Sequence, residues 1–492
     1  LRLRARRFIN AGEQQGTGMA FDELRDENGG VRAAYAEVAR WIEANGLDAL
    51  AQRREEAEAI FRRIGITFAV YGEGGDPERL IPFDLIPRVF SASEWSLLDR
   101  GIRQRARALN AFIHDVYHRG EIISAGIVPA DLVYGNAAFL PQMLGFDPPG
   151  GVYSHIVGID IVRTGDREFA VLEDNCRTPS GVSYMLENRS IMQRMFPRLF
   201  AGGSVRAVET YPQMLRETLR EVAPPATKGE PMAVVLTPGP FNSAYYEHSY
   251  LADLMGIELV EAPDLFVDSG GVWMKTTAGP RRVDVIYRRI DDDYLDPLSF
   301  RPDSLLGVPG LFHAYRAGQV TIVSAPGAGI ADDKAIYVFV PAMIKFYLGE
   351  EAILPNVQTW RCALPDERAY VLENLDKLVA KEVHGSGGYG MLIGPKATKD
   401  EIEAYARRIR ANPADFIAQP TLDLSTAPTL GGEGAEDAEL VGRHVDFRPY
   451  CLVGREVRLV PGGLTRVALK PGSLVVNSSQ GGGVKDSWVL EG

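Results

Sequence analysis

The sequence predicts a multidomain protein of mixed α+β and α/β class with a mainly helical N-terminal region. Three observations support this. The chain has 492 residues, enough for about three domains at roughly 150 residues each. Over the first 120 or so residues, apolar side chains recur at helical spacing. From about residue 150, short β-rich runs punctuated by glycine alternate with helical stretches, the pattern of packed sheet and helix layers. The expected division is 1–130, 131–230, 231–330 and 331–492.

In chain order, residues 31–64 carry Tyr35, Val38, Trp41 and Ile42 on one helical face, stop at Gly46 and resume from Leu47 to Ile64. An extended run, Ile66–Tyr71, ends in the turn-rich Gly72–Pro77. Ser91 and Glu94 then form a capping box, because each side chain can satisfy the other's free amide. Behind it Trp95, Leu98, Ile102, Leu109, Phe112 and Val116 define one amphipathic helix ending near Gly120. Its Arg103, Arg105 and Arg107 are expected on a solvated face or as salt-bridge donors. Strands are expected at Phe169–Leu172, Ala233–Thr237, Val283–Tyr287, Val320–Val323, Leu378–Val383, Met391–Ile393, Phe416–Ala418 and Val457–Val460. Helices are expected at Tyr245–Met255, Asp332–Leu348 and Lys399–Ala411. The acidic, glycine-rich Gly431–Glu439 is expected to be a disordered loop.

Composition excludes several classes. The charge sum, 53 − 65 = −12, carries no basic stripe, so no nucleic-acid partner is expected. No apolar run reaches the ~20 residues of a membrane-spanning helix, so no membrane partner is expected either. The arginine-rich opening lacks the apolar core of a secretory signal. Three cysteines without a CxxC pair indicate a reducing compartment and exclude a structural zinc site of cysteine type. A cytoplasmic enzyme is the expectation, with homo-oligomerisation left open.

Three glycine loops could meet phosphate: Ala325–Ile330, His384–Gly390 and Ser479–Lys485. The middle one, with Gly385, Ser386, Gly387, Gly388, Tyr389 and Gly390, formally matches G-x-G-x-x-G. A dinucleotide fold would open a helix directly behind it. Here Met391-Leu-Ile reads as a strand, so the unit is a strand–glycine loop–strand hairpin that covers phosphates from above. A kinase places its phosphate lysine after such a loop. Here Lys381 precedes it, and lysine followed by a glycine hairpin is the order of the ATP-grasp fold.

A magnesium site for phosphoryl transfer uses hard oxygen ligands, usually one or two carboxylates completed by phosphates and waters. In Val171-Leu-Glu-Asp-Asn-Cys-Arg177, strand periodicity places Glu173 and Asn175 on one face and Asp174 on the other. The turn-like Thr164–Arg167 would fold Asp160, on the preceding strand, beside Glu173. The alternative is a set of surface salt bridges to Arg163, Arg167 and Arg177. Tyr287-Arg-Arg-Ile-Asp-Asp-Asp-Tyr294 could clamp a carboxylate through Arg288 and Arg289, or pair internally with Asp291–Asp293. Arg448 and Arg466 each stand near a strand and could neutralise a transferring phosphate or serve in ion pairs.

The segments LEDNCRTPSGVSYMLENR, LTPGPFNSAYYEHSYLA, VDVIYRRIDDDYLDP, KEVHGSGGYGM and GGLTRVALKPGSLVVNSSQGGGVKDSWVL resemble the circularly permuted ATP-grasp proteins of bacteria. That group (type 2) is distantly related to glutathionylspermidine synthetase and glutathione synthetase. The resemblance runs from about Phe21 to Leu490. It accounts for an inversion of order: in most ATP-grasp enzymes the metal ligands follow the glycine loop, whereas here Glu173 and Asn175 precede Lys381. It implies a circularly permuted ATP-grasp fold, with 131–230 carrying the metal ligands, 231–330 a substrate domain, and 331–492 the glycine hairpin and a lid loop. It implies ATP and Mg2+ as cofactors, with Asp160, Glu173 and Asn175 holding the metal and Lys334 and Lys381 on the phosphates. It further places Gln419–Leu422 at the adenine hinge, Arg289 on a substrate carboxylate with Arg288 beside it, and Gly482 and Lys485 in the lid. The family's further metal glutamate after the second lysine has no counterpart here; Glu382 would point to the other face of its strand. The implied activity is ligation of a small-molecule or peptide carboxylate to an amine through an acyl phosphate, with release of ADP. A phosphotransferase on the same site and a non-catalytic nucleotide-binding scaffold are the alternatives.

Overall fold

A computed structural model describes residues 20–64, 67–69, 78–385, 390–432, 434, 436–476 and 481–492, with only the backbone for 67–69 and 78–80. Its centre is a nine-stranded sheet ordered Val457–Leu459, Tyr450–Val453, Ile156–Gly165, Glu439–Arg448, Leu464–Val467, Gly483–Val489, Phe83–Phe90. Glu168–Asn175 and Thr426–Gly431 pair onto it from the sides. All its pairings are antiparallel except Gly483–Val489 beside Phe83–Phe90. This sheet takes strands from the first, second and fourth of the segments expected from sequence, so it is assembled from residues more than 300 positions apart.

Helix Ala92–Tyr117 packs against the sheet. Its start follows from the capping box: the Glu94 amide donates to Ser91 Oγ at 3.3 Å, and the Ser91 amide donates to Glu94 Oε2 at 2.8 Å. Trp95, Leu98, Ile102, Leu109, Phe112 and Val116 all bury against the sheet and its neighbours. Arg105 takes the second of its two expected roles, as a salt-bridge donor. It is buried, donating from Nε and NH2 to the two Asp174 oxygens at 2.6 and 2.7 Å. Asp174, on the opposite strand face from Glu173, thus ties the strand Glu168–Asn175 to this helix.

A second, four-stranded parallel sheet is ordered Thr321–Val323, Val285–Arg288, Ala233–Leu236, Glu258–Val260. Its apolar runs suit strands covered on both faces, and Val234, Val235, Val285, Ile286 and Ile322 have no exposed surface. A third, antiparallel sheet is ordered Trp360–Arg361, Phe416–Pro420, Leu378–Glu382, Leu392–Ile393. Helices Pro365–Glu373 and Lys399–Ala411 lie with it around a separate small core of Cys362, Val371, Leu375, Leu378, Tyr405 and Ile409.

Two local expectations change. Asp332–Leu348 is not one helix but short turns at Ala328–Asp332, Lys334–Tyr337, Val340–Met343 and Ile344–Leu348. Asp333 caps the second, accepting from the amides of Ala335 and Ile336, and Pro341 has no amide to continue a helix from the preceding turn. Gly431 and Glu439, the ends of the expected loop, are paired across a strand ladder, while Glu433 and Ala435 between them lie outside the described residues. Among the described residues, no helix is long and apolar enough to cross a membrane.

Candidate functional site

A cleft of about 980 Å³ opens between the large sheet, the third sheet and the turns of residues 328–334. Asp160, Glu173, Asn175, Lys334, Lys381, Gly385, Gln419, Arg448 and Arg466 all line it. Ser386, Gly387, Gly388 and Tyr389 lie outside the described residues. Gly390 is not part of the wall, although Met391 and Ile393 behind it are.

One side of the cleft is carboxylate-rich. The strands Ile156–Gly165 and Glu168–Asn175 pair antiparallel with Asp160 opposite Glu173 and Gly158 opposite Asn175. Asp160 is buried, and burial alone would raise its carboxyl. Arg448 and Arg466 over-compensate and hold it below the usual carboxylate range. Arg448 grips both oxygens, and Arg466 donates to Oδ2 at 2.7 Å while also pairing with Asp446. Glu173 is a quarter exposed, with Lys334 and Arg448 each 3.7 Å away. The Asn175 amide nitrogen is buried without a hydrogen-bond partner; it can only donate, so a metal role for this residue would fall to its carbonyl oxygen. The loosely paired Glu173 carboxylate and the Asn175 amide oxygen are hard donors of the kind that fits magnesium, whereas both Asp160 oxygens are engaged by arginines. Glu382 pairs instead with Arg408.

The opposite side supplies cations. Lys381, on Leu378–Glu382, donates to Gln419 Oε1 at 2.8 Å, and Gln419 donates in turn to Thr359 Oγ1 at 3.0 Å. Burial lowers the Lys381 ammonium to about 8, despite the nearby Glu173. Lys334 reaches across to the Gly385 carbonyl at 2.6 Å, joining the capped turn to the base of the glycine hairpin. Beside Gln419, Pro420 and Leu422 line the wall, at the place expected for an adenine hinge.

Arg288, Arg289, Gly482 and Lys485 do not line the cleft. Arg288 is fully buried, donating to the carbonyls of Ser324, Ile290 and Ala325 and pairing with Asp292 at 2.5 Å. It closes the ends of the parallel strands and cannot reach a substrate. Arg289 lies one layer behind the wall, held by Tyr287, Ser180 and Glu247. Lys485 is not in a lid. Gly483–Val489 is a buried strand of the large sheet, and the Lys485 ammonium donates to Asp84 and to the carbonyls of Ile86 and Pro428. Leu474, Val475 and Val476 from the preceding segment do reach the cleft.

Two participants were not singled out from sequence. Glu247, on helix Tyr245–Met255, accepts from the amides of Gly181 and Ser183 at 2.7 and 3.1 Å and from Arg289 at 3.0 Å. It thereby fixes the Thr178–Gly181 wall. Only glycine fits at 181: its φ is +114° and a Cβ would stand 2.4 Å from the Tyr450 hydroxyl. Arg177 lines the cleft with 40 % of its side chain exposed, 3.1 Å from Asp291 and 3.8 Å from Asp332. Burial raises the Asp332 carboxyl to about 6.

The chain resembles known proteins over nearly all its length. An uncharacterized protein of Synechocystis sp. is 51% identical over 96% of this chain and 98% of its own. An uncharacterized protein of Mycobacterium tuberculosis is 50% identical over 96% and 84%. A Frankia alni protein named "Putative glutamate–cysteine ligase 2-3" is 44% identical over 95% of this chain, which spans only 54% of that protein. The fold matches a glutathione synthetase-like effector from Globodera pallida in its apo form, with a TM-score of 0.56 and 12% identity, covering 89% of this chain and 97% of that one. The model of the circularly permuted ATP-grasp type 2 family matches residues 87–468. The chain, with the strands of Asp160 and Glu173 ahead of Lys381 and its glycine hairpin, belongs to that family.

Proposed function

We propose that the protein is an ATP-dependent, ADP-forming carboxylate–amine ligase. One observation carries this reading: Lys334, Lys381, Arg448 and Arg466 converge on the same cleft as Glu173 and Asn175, at the base of a glycine hairpin. Four cations around two hard donors is a cradle for a polyphosphate with magnesium. Family membership and the ligase name of the Frankia relative support the same class.

In this reading Glu173 and Asn175 would hold magnesium, which would supply charge neutralisation to the nucleotide phosphates. Lys381 and Lys334 bind the phosphates, while Gln419, Pro420 and Leu422 face the base. Arg448 and Arg466, already oriented by Asp160, neutralise charge on the group in transfer. Such catalysis is mostly positioning and electrostatics, since the reactive bonds are in the phosphates. Arg177 takes the carboxylate role expected of Arg288 and Arg289: it lines the cleft with an exposed side chain, whereas those two are buried. No protein nucleophile enters the scheme. Cys176, the nearest thiol, is fully buried, which raises its thiol further above the thiolate range.

The test is a screen of acid–amine pairs for ADP release. ADP should appear only with the correct acid, and hydroxylamine in place of the amine should trap a hydroxamate. Formation of AMP and pyrophosphate, or of a stable phosphorylated alcohol, would overturn the assignment in favour of an adenylating enzyme or a kinase.

A further inference from the structure

Helix Ala92–Tyr117 ends in a cluster that the nucleotide cleft does not use. His114 and His118 are one turn apart, and their rings stack at 4.2 Å with 9° between planes. Nε2 of His114 and Nε2 of His118 stand 3.3 and 3.2 Å from the same oxygen, Oδ1 of Asp147. Among the described residues this is the one group of three or more histidine, cysteine and carboxylate side chains whose ligand atoms all lie within 4.8 Å of one another.

The tautomer of His118 follows from a neighbour. Its Nδ1 is 2.9 Å from the His114 carbonyl, which can only accept, so Nδ1 carries the hydrogen. In the neutral ring Nε2 is then a bare lone pair. It is buried, makes no hydrogen bond, and faces a carboxylate oxygen at 3.2 Å. Two electron-rich atoms at that distance repel unless a proton or a metal ion lies between them. A backbone carbonyl fixing the far nitrogen is also how metal-bound histidines are usually oriented.

The spacing suits a particular ion. Ligands about 2.0–2.1 Å from a tetrahedral zinc ion are about 3.3–3.4 Å from each other. The two nitrogen–oxygen separations here, 3.3 and 3.2 Å, are close to that edge, and rotation of the near-parallel rings about their side-chain torsions would turn both lone pairs onto one ion. The third ligand is also positioned in advance. The Gly145 amide donates to the Tyr117 carbonyl at 2.8 Å, and the Tyr153 hydroxyl donates to the Phe146 carbonyl at 2.8 Å, so the residues just before Asp147 are tied down on both sides.

We propose that His114, His118 and Asp147 form a site for a zinc-like divalent transition-metal ion, separate from the nucleotide cleft. Two imidazoles and one carboxylate are a borderline donor set that favours such ions over magnesium. The exposed side, where Asp147 is 67 % and His114 50 % accessible, leaves the fourth position to water. The bound ion would cross-link the helix end to the Pro141–Pro149 segment.

The experiment uses the untagged full chain, cleared of metal with a chelator and titrated with zinc chloride by calorimetry without nucleotide. One zinc per chain is expected at micromolar affinity or tighter, with a rise in thermal midpoint. Loss of a ligand should weaken binding at least about tenfold, since even outer-sphere changes reach that size. His114→Ala and Asp147→Ala, both at accessible positions, should each show this loss while melting normally without metal. Glu173→Gln should keep zinc binding, which separates this site from the nucleotide cleft. No zinc binding by the parent, or parental affinity in either variant, overturns the proposal.

Discussion

Lys381→Met is the sharpest perturbation of the proposed phosphate cradle, because stability and binding should move in opposite directions. Burial lowers this ammonium from its ordinary 10.5 to about 8. At about 1.4 kcal/mol per factor of ten, keeping it charged at neutral pH costs about 3 kcal/mol. That penalty is full below pH 8 and disappears as pH rises from 8 towards 10.5, where the unfolded chain also loses its proton. Methionine removes the charge and nearly preserves the volume. It leaves Gln419 Oε1 without its donor, at a cost of about 1–3 kcal/mol. The nucleotide-free variant should therefore melt no earlier than the parent at pH 7, with a net gain of roughly 0–2 kcal/mol. ATP affinity should fall by about 1.5–3 kcal/mol, or roughly 10- to 150-fold, the range for a charged hydrogen bond. A second signature follows from the titration. Between pH 7 and 9 the charged fraction of a group near 8 falls about tenfold, so parental ATP affinity should weaken by about that factor. The variant should lack this dependence. Calorimetry of both proteins at pH 7, 8 and 9 checks all of it; equal affinities at pH 7 would refute the placement of phosphate beside Lys381.

Three further outcomes are expected. Glu173→Gln should abolish ATP turnover while shifting the melt by less than about 1 kcal/mol, because its ion-pair partners among the described residues are 3.7 Å away at a partly exposed position; steady-state ADP assays and a thermal melt decide it. Asp174→Asn should destabilise by about 3–5 kcal/mol, since it leaves the buried Arg105 guanidinium without its counter-charge, and denaturant titration should show this. Burial holds His155 down to about 3 and His248 to about 2, so the folded state binds fewer protons than the unfolded one below 6.5. The stability this contributes is full above pH 6.5 and is lost as pH falls, at up to about 1.4 kcal/mol per pH unit for each ring. Asp332, raised to about 6, acts with the opposite sign below that value. Between pH 6.5 and 5, His155→Leu should flatten the loss measured for the parent; an unchanged slope would show that His155 is not the titrating group.

The sequence carried the local information about the cleft and left the pairing of its parts unread. Strand periodicity separated Glu173 from Asp174, and the structure uses the two faces for different tasks, one towards the cleft and one towards Arg105. The turn at 164–167 was enough to set Asp160 opposite Glu173. Both deductions need only neighbours along the chain. The choice between a solvated and an ion-paired Arg105 stayed open because its partner lies 69 residues away. A charge on a helix looks solvated until the strand that neutralises it is known. Lys485 failed for the same reason. A glycine run followed by lysine has the composition of a mobile loop, but its partner Asp84 stands 401 residues earlier on an adjacent parallel strand. Arg288 and Arg289 show the complementary limit. Adjacent arginines after an apolar strand point to opposite sides of it, and sequence cannot say that carbonyls await one and Glu247 the other. Arg177 differs in exposure rather than in lacking partners. It pairs with Asp291 at 3.1 Å and more loosely with Asp332 at 3.8 Å, but both acids line the cleft with it and 40 % of its side chain is exposed. A cation within reach of substrate is therefore recognised by its exposure to the cleft, which depends on the whole fold.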